Sequence, residues 1–185
     1  MNGAHVNAND CAGRHPLHIA TINNKVEAAK LFLLNGADVN ANDCAGRTAL
    51  YVAVYFSHTQ LIEILMEKGA DSNCRYDNGE TPLHVAVFNE DTQIVEFLIE
   101  KGADPNNGDD NGKSPLHVVV SNADIQIDEL LIEKGTETIY SDDNEKTPLH
   151  VAVSNADIQI VELLIEKGAD TNNRDNDVST KYIWS

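Results

Sequence analysis

Positive charge is what this sequence has least of. Only 13 Lys and Arg stand against 30 Asp and Glu in 185 residues, a formal net charge of −17. Binding to nucleic acid draws most of its affinity from Lys and Arg on phosphate, so that class is excluded. Anionic membrane surfaces would repel the chain as well. The charge favours solubility and a basic partner. Long apolar runs are also missing: hydrophobic residues make up 42% of the chain, yet no run approaches the ~20 residues of a membrane span. The start, Met1-Asn2-Gly3-Ala4-His5, has neither the basic nor the apolar stretch of a secretory signal. Cysteines are few and odd in number, Cys11, Cys44 and Cys74, with no paired spacing. That fits a reducing compartment, cytoplasmic or nuclear, and not a secreted protein.

What the sequence has is a period. From Gly79 to Asn106 it reads as two short helices and a polar loop. Thr81-Pro82 is a helix start, with a hydroxyl that can accept from a free first-turn N–H and a proline where no N–H is needed. Leu83, Ala86 and Val87 mark one buried face, and Ile94, Val95, Leu98 and Ile99 a second. Gly102 sits where a helix end wants a left-handed residue. The Thr-Pro-Leu-His start recurs at His15-Pro16-Leu17-His18, Thr48-Ala49-Leu50-Tyr51, Thr81-Pro82-Leu83-His84, Ser114-Pro115-Leu116-His117 and Thr147-Pro148-Leu149-His150, each 33 residues after the last. A Gly-Ala-Asp-x-Asn ending closes four of the units, beginning at Gly36, Gly69, Gly102 and Gly168.

A 33-residue period built on Thr-Pro-Leu-His-x-Ala resembles the ankyrin repeat family, and the likeness covers essentially the whole chain. It implies an all-α solenoid of stacked helix-turn-helix units joined by β-hairpin loops. The expected organisation is one domain, 1–185: a partial repeat 1–9, repeats 10–42, 43–75, 76–108, 109–141 and 142–174, and a partial repeat 175–185. Gly3 to Asn7 reads as the tail of a repeat whose helices are missing, so the expectation is a fragment of a longer array; otherwise the first repeat lacks its polar cap. Trp184 is the candidate cover for the last helix pair.

The histidines His18, His84, His117 and His150 invite a metal or catalytic reading. Their spacing places one per stacked unit, so they form a ladder and do not converge on an ion. The resemblance implies that this His bonds the backbone and the Thr hydroxyl, holding loop to helix. Asp109-Asp110 and Asp142-Asp143 lack the alternating ligands and closing Glu of a calcium loop. No nucleophile elbow, phosphate-binding Gly loop or zinc-protease helix is present. The expectation is therefore a chain that is not an enzyme and has no catalytic, cofactor or metal site. Cys11 and Cys44 are equivalent positions roughly 10 Å apart, beyond disulfide reach. All three cysteines fall on polar loops, where exposure is the default.

The fourth repeat departs furthest. Asp128 takes the place of Val95 and Val161, and Gly135-Thr136-Glu137-Thr138-Ile139 replaces the usual ending. An unpaired buried charge is costly, so this is the expected weak seam. Glu145 and Val178 break a column of turn glycines, which predicts irregular loops there. Asp91, Asp124 and Asp157 read as caps of the second helices.

The expected function is a non-catalytic protein-protein interaction scaffold. The resemblance places the partner on a concave face of loop tips and first helices. Tyr55, Phe56, Tyr76 and Phe88 are the candidate anchors, with Asp77, Glu80, Asp109 and Asp110 as an acidic rim. The partner would be a protein of basic character bound by a monomer, with no nucleic acid, membrane or cofactor. The alternative is a structural spacer, or an interaction module cut from a larger multidomain protein or enzyme.

Overall fold

A computed structural model describes residues 5–122 and 124–173. The partial repeat 175–185, with Val178 and Trp184, lies outside the described residues. The contacts divide the chain into two units, Met1–Ala103 and Asp104–Ser185.

The first unit holds α1 (Pro16–Ile22), α2 (Val26–Leu34), α3 (Ala49–Tyr55), α4 (Thr59–Glu67), α5 (Pro82–Phe88) and α6 (Thr92–Glu100). Each odd-numbered helix pairs with the one after it, α3 packs on both α1 and α5, and α2 packs on α4. Leu50, Leu61, Leu65, Leu83 and Leu98 are fully buried between these layers. The second unit holds α7 (Pro115–Asn122), α8 (Ile125–Glu133), α9 (Pro148–Ser154) and α10 (Ile158–Glu166). Here α7 pairs with α8 and α9 with α10, while α7 packs on α9 and α8 on α10. Leu116, Ile127, Leu131, Ile160 and Leu164 form its core.

Asparagine sews neighbouring repeats together. The Asn40 side chain donates to the Gly69 carbonyl (3.1 Å) and accepts from the Asp71 amide (2.8 Å). Asn7 does the same with Gly36 and Asp38. Asn106 reaches Gly135 at 3.5 Å and takes the Glu137 amide at 2.9 Å. Its counterpart one repeat on is Ile139, which has no polar atom to offer.

The loops between repeats carry a correction. Among the described residues they contain no strand, so the implied β-hairpins are turns. Four of the five described turns are headed by an aspartate, and the third by Tyr76. Asp10 Oδ1 accepts from the amides of Ala12 and Arg14, at 2.9 and 3.0 Å. Asp43, Asp109 and Asp142 repeat this arrangement with residues two and four places on. The carboxylate thus engages amides that a strand ladder would use. Successive loops share single backbone bonds, Cys44 to Ala12 and Asp143 to Asn111, each 3.0 Å.

Glu145 also corrects the sequence reading. Its loop is regular: the Glu145 amide donates to the Asp142 carbonyl (2.9 Å), and the Glu145 backbone takes φ +62° in place of glycine. At Gly112 the same conformation is crowded by backbone, because a Cβ would lie 3.0 Å from the Asp143 amide nitrogen and 3.2 Å from Asp142 Cα. The turns between paired helices likewise place Asn24, Ser57, Glu90 and Ala156 at φ +51° to +57°.

The fourth repeat concentrates its faults in buried positions. Asp128 is fully buried, and neither carboxylate oxygen has a hydrogen-bond partner. Thr136, in a column where Ala70, Ala103 and Ala169 are buried, brings in a hydroxyl that is also unpaired. Burial above all, with the nearby carboxylates of Asp124 and Asp157 adding repulsion, pushes Asp128 from 3.8 up to about 7. A carboxyl whose pKa is raised on folding destabilises the fold fully above the folded value and not at all below the unfolded one. At alkaline pH this shift corresponds to about 4 kcal/mol.

Asp128→Val should therefore raise the melting temperature of the second unit, by at least about 2 kcal/mol in stability at pH 8. Differential scanning calorimetry checks this, and a lower temperature would mean that Asp128 has a stabilising partner. Glu145→Gly should add about 1 kcal/mol by relieving the left-handed backbone, measured by urea unfolding; no gain would show the turn to be unstrained. Thiol chemistry gives a third test. Cys11 and Cys44 are exposed, but Cys74 is half-buried with its sulfur 3.3 Å from Thr48 Oγ1, and burial pushes its thiol up. A thiol reagent should label two cysteines fast and Cys74 at least about tenfold more slowly, since the thiolate is the reactive form. Equal rates for all three would overturn that placement.

Candidate functional site

The histidine ladder is structural in its geometry. In α5, His84 Nδ1 accepts from the Thr81 amide (3.1 Å) and lies 2.9 Å from the Thr81 hydroxyl. His117 and His150 make the same pair of contacts with Ser114 and Thr147. On the far side of the ring, His117 Nε2 reaches the Lys146 carbonyl at 3.0 Å, and His18 Nε2 the Arg47 carbonyl at 2.8 Å. Each ring so engaged is a neutral imidazole that accepts on one nitrogen and donates on the other. Burial lowers the pKa of both His18 and His117. Among the described residues there is no group of three or more His, Cys, Asp or Glu able to hold a metal ion.

Tyr51 stands in this column in the second repeat, and it explains Tyr76. The two rings stack at 4.8 Å with 26° between planes. The Thr48 hydroxyl caps α3 by accepting from the Tyr51 amide, so the ring points where an imidazole points elsewhere. Tyr51 is buried, which, with Glu80 adding, pushes its phenol up to about 12. Tyr76 is half-buried and ties the following loop to α3 by ring contact. It acts where a His–carbonyl bond acts in other repeats.

Tyr55, Phe56 and Phe88 are placed differently. Helix α3 buries every residue from Ala49 to Val54 and then ends on Tyr55. Helix α5 buries every residue from Pro82 to Val87 and ends on Phe88. The last side chain of each is turned out, so Tyr55 is 55% exposed, Phe56 49% and Phe88 67%. Left-handed Ser57 and Glu90 end these segments and fix where the rings emerge. Phe56 stands edge-on to Tyr55 (5.1 Å, 88°) and stacks on His58 (5.6 Å). The next repeat is locked to this corner by Asn89, whose amide donates to the carbonyls of Val54 and Tyr55, both at 3.2 Å.

The surrounding charge is acidic. The third repeat, 76–108, has seven Asp and Glu against one basic residue, Lys101. Asp77 is exposed and Glu80 half-buried, both before the start of α5. Glu80 and Phe88 are thus roughly 10 Å apart along the chain axis. The exposed carboxylate nearest Phe88 in sequence is Glu90, which the sequence reading missed; its left-handed turn position was the available signal. Asp109 and Asp110 belong to the second unit. Asp109 is occupied as a turn former, accepting from the amides of Asn111 and Lys113.

A family model described as "Ankyrin repeats (3 copies)" matches residues 1–76, 17–109 and 83–175. No curated protein matches. No helix among the described residues is long and apolar enough to cross a membrane. The 33-residue period, the paired helices and the matched family model, which together cover residues 1–175, make this chain a member of the ankyrin repeat family.

Proposed function

We propose that this chain is a non-catalytic, monomeric protein-binding module whose partner docks on Tyr55, Phe56 and Phe88. Ankyrin repeats in general are protein-interaction modules. The observation that carries the location is the exposure of three aromatic rings at the ends of two packed helices whose other side chains are buried. Exposed aromatic anchors within a polar surround are the usual makeup of interface hot spots. The partner is a basic segment. Asp77, Glu80 and Glu90 attract it, and the net charge of −17 speeds its approach. Lys101 already lies over the Phe97 ring at 5.4 Å in this chain, the contact a partner Lys or Arg would make with Tyr55 or Phe88. The three free cysteines support a cytoplasmic or nuclear setting.

The test uses peptides selected from a random display library against the wild-type chain. Selected peptides should combine Lys or Arg with an apolar residue. Their affinity should fall at least about 30-fold, or ~2 kcal/mol, for Tyr55→Ala combined with Phe88→Ala. The melting temperature should hardly move, and added salt should slow association. Unchanged affinity would favour the spacer reading. Unfolding of the double variant would show that the rings are packing elements.

A further inference from the structure

The second unit holds a buried acid that the binding role does not use. Asp128 lies on α8 in a column that is otherwise Ala29, Ile62, Val95 and Val161. Ile62, Val95 and Asp128 are all essentially inaccessible to solvent, yet Asp128 has two oxygens with nothing to receive a proton from. Among the described residues no salt bridge reaches Asp128. Helices α7, α8, α9 and α10 contain no Lys or Arg. The titratable group on α7 is His117, held neutral between Ser114 and the Lys146 carbonyl. On α10 and its cap the acids are Asp157, Glu162 and the exposed Glu166, and on α8 and its cap they are, besides Asp128, Asp124, Glu129 and Glu133. Glu129, Glu133 and Glu162 are exposed. Asp124 and Asp157 each cap a helix, accepting from amides two and three residues on, and both repel a charge on Asp128.

We propose that α8 is a proton-controlled element, packed closed while Asp128 is neutral and opening to hydrate the carboxylate when it ionises. A buried carboxylate with neither hydrogen bond nor counter-charge is the least tolerable species in a protein interior. Neutralisation and exposure are the two escapes, and pH chooses between them. The closed form holds the extra proton, so acid favours it. Burial places the midpoint at about 7, against 3.8 for a free side chain. Between these two values each pH unit favours the open form by up to about tenfold, and above the midpoint the gain levels off. Two further features of this repeat lower the resistance to opening. Thr136 leaves a second buried polar atom unpaired, and Ile139 removes the asparagine bond that secures other repeats to their successors.

Amide hydrogen exchange on the whole chain tests the proposal between pH 5 and 8, with Asp128→Asn and Asp128→Val as references that carry every other titration of the unit, His117 included. After correction for intrinsic rates, protection of amides 127–133 relative to those references should fall by up to about tenfold per pH unit as pH rises to about 7, and level off above it. Protection in α10 should stay flat. Asp128→Asn, which keeps the shape and cannot ionise, and Asp128→Val should both abolish the slope. The proposal fails if either variant that folds keeps the wild-type slope, if wild-type α8 shows none, or if α10 falls in parallel.

Discussion

A neutral imidazole that accepts at one nitrogen and donates at the other is the joint on which the repeat depends. The Nδ1 side of His117 completes the start of its own helix through Ser114, and the Nε2 side holds the next loop at the Lys146 carbonyl. One side chain thus satisfies a helix-start donor and fixes the distance to the following repeat, 29 residues away. Both duties need the unprotonated ring. A second proton would turn Nδ1 from acceptor to donor, opposite an amide that can only donate. Burial opposes that proton and lowers the pKa of His117. Its contribution is complete above the ordinary histidine value near 6.5 and declines as pH falls below it. Asp128, in the same unit, has the opposite dependence. The unit is therefore held from the acid side by one residue and from the alkaline side by another.

Buried carboxylates in this chain show how much pairing decides. Asp43 is almost as inaccessible as Asp128. Burial works to raise its pKa as well, but the Arg47 side chain at 2.7 Å and the amides of Arg47 and Ala45 outweigh burial and hold it low. Asp43 thereby becomes a turn former. Asp128 has the same functional group with none of these partners, and becomes a cost. What separates structural from unstable acid is the supply of donors within about 3 Å, and not depth in the core.

The repeat register, the helix starts and the role of the His column were legible in the sequence, because each rests on local chemistry repeated at one spacing. Asp128 was legible for the same reason: four other repeats define what its column should contain. The parts that were not legible depend on backbone conformation or on a partner far along the chain. Glu145 looked like a break in a glycine column, yet the turn bonds of Asp142 hold a non-glycine residue at φ +62°. Tyr76 read as an exposed tip because its stacking partner, Tyr51, lies 25 residues earlier. In four of the loops an aspartate oxygen takes two turn amides, a detail that no spacing reveals.

Of the candidate binding residues, Tyr55, Phe56 and Phe88 are exposed rings, the first two in edge contact, while Tyr76 is occupied by Tyr51 and Asp109 by its own turn. The physical difference is position within the helix. A ring one step earlier on α3 or α5 would face a core that already holds Val54 or Val87. A ring at the last helical position projects past the neighbouring repeat, where the backbone reverses through a left-handed residue. That position costs the fold little and is free to vary, which is why Ile22, Ser121 and Ser154 occupy it elsewhere in the chain. On the proposed function, recognition would fall to residues that the packing does not need, and the aromatic pair Tyr55 and Phe88 is the largest departure at this position.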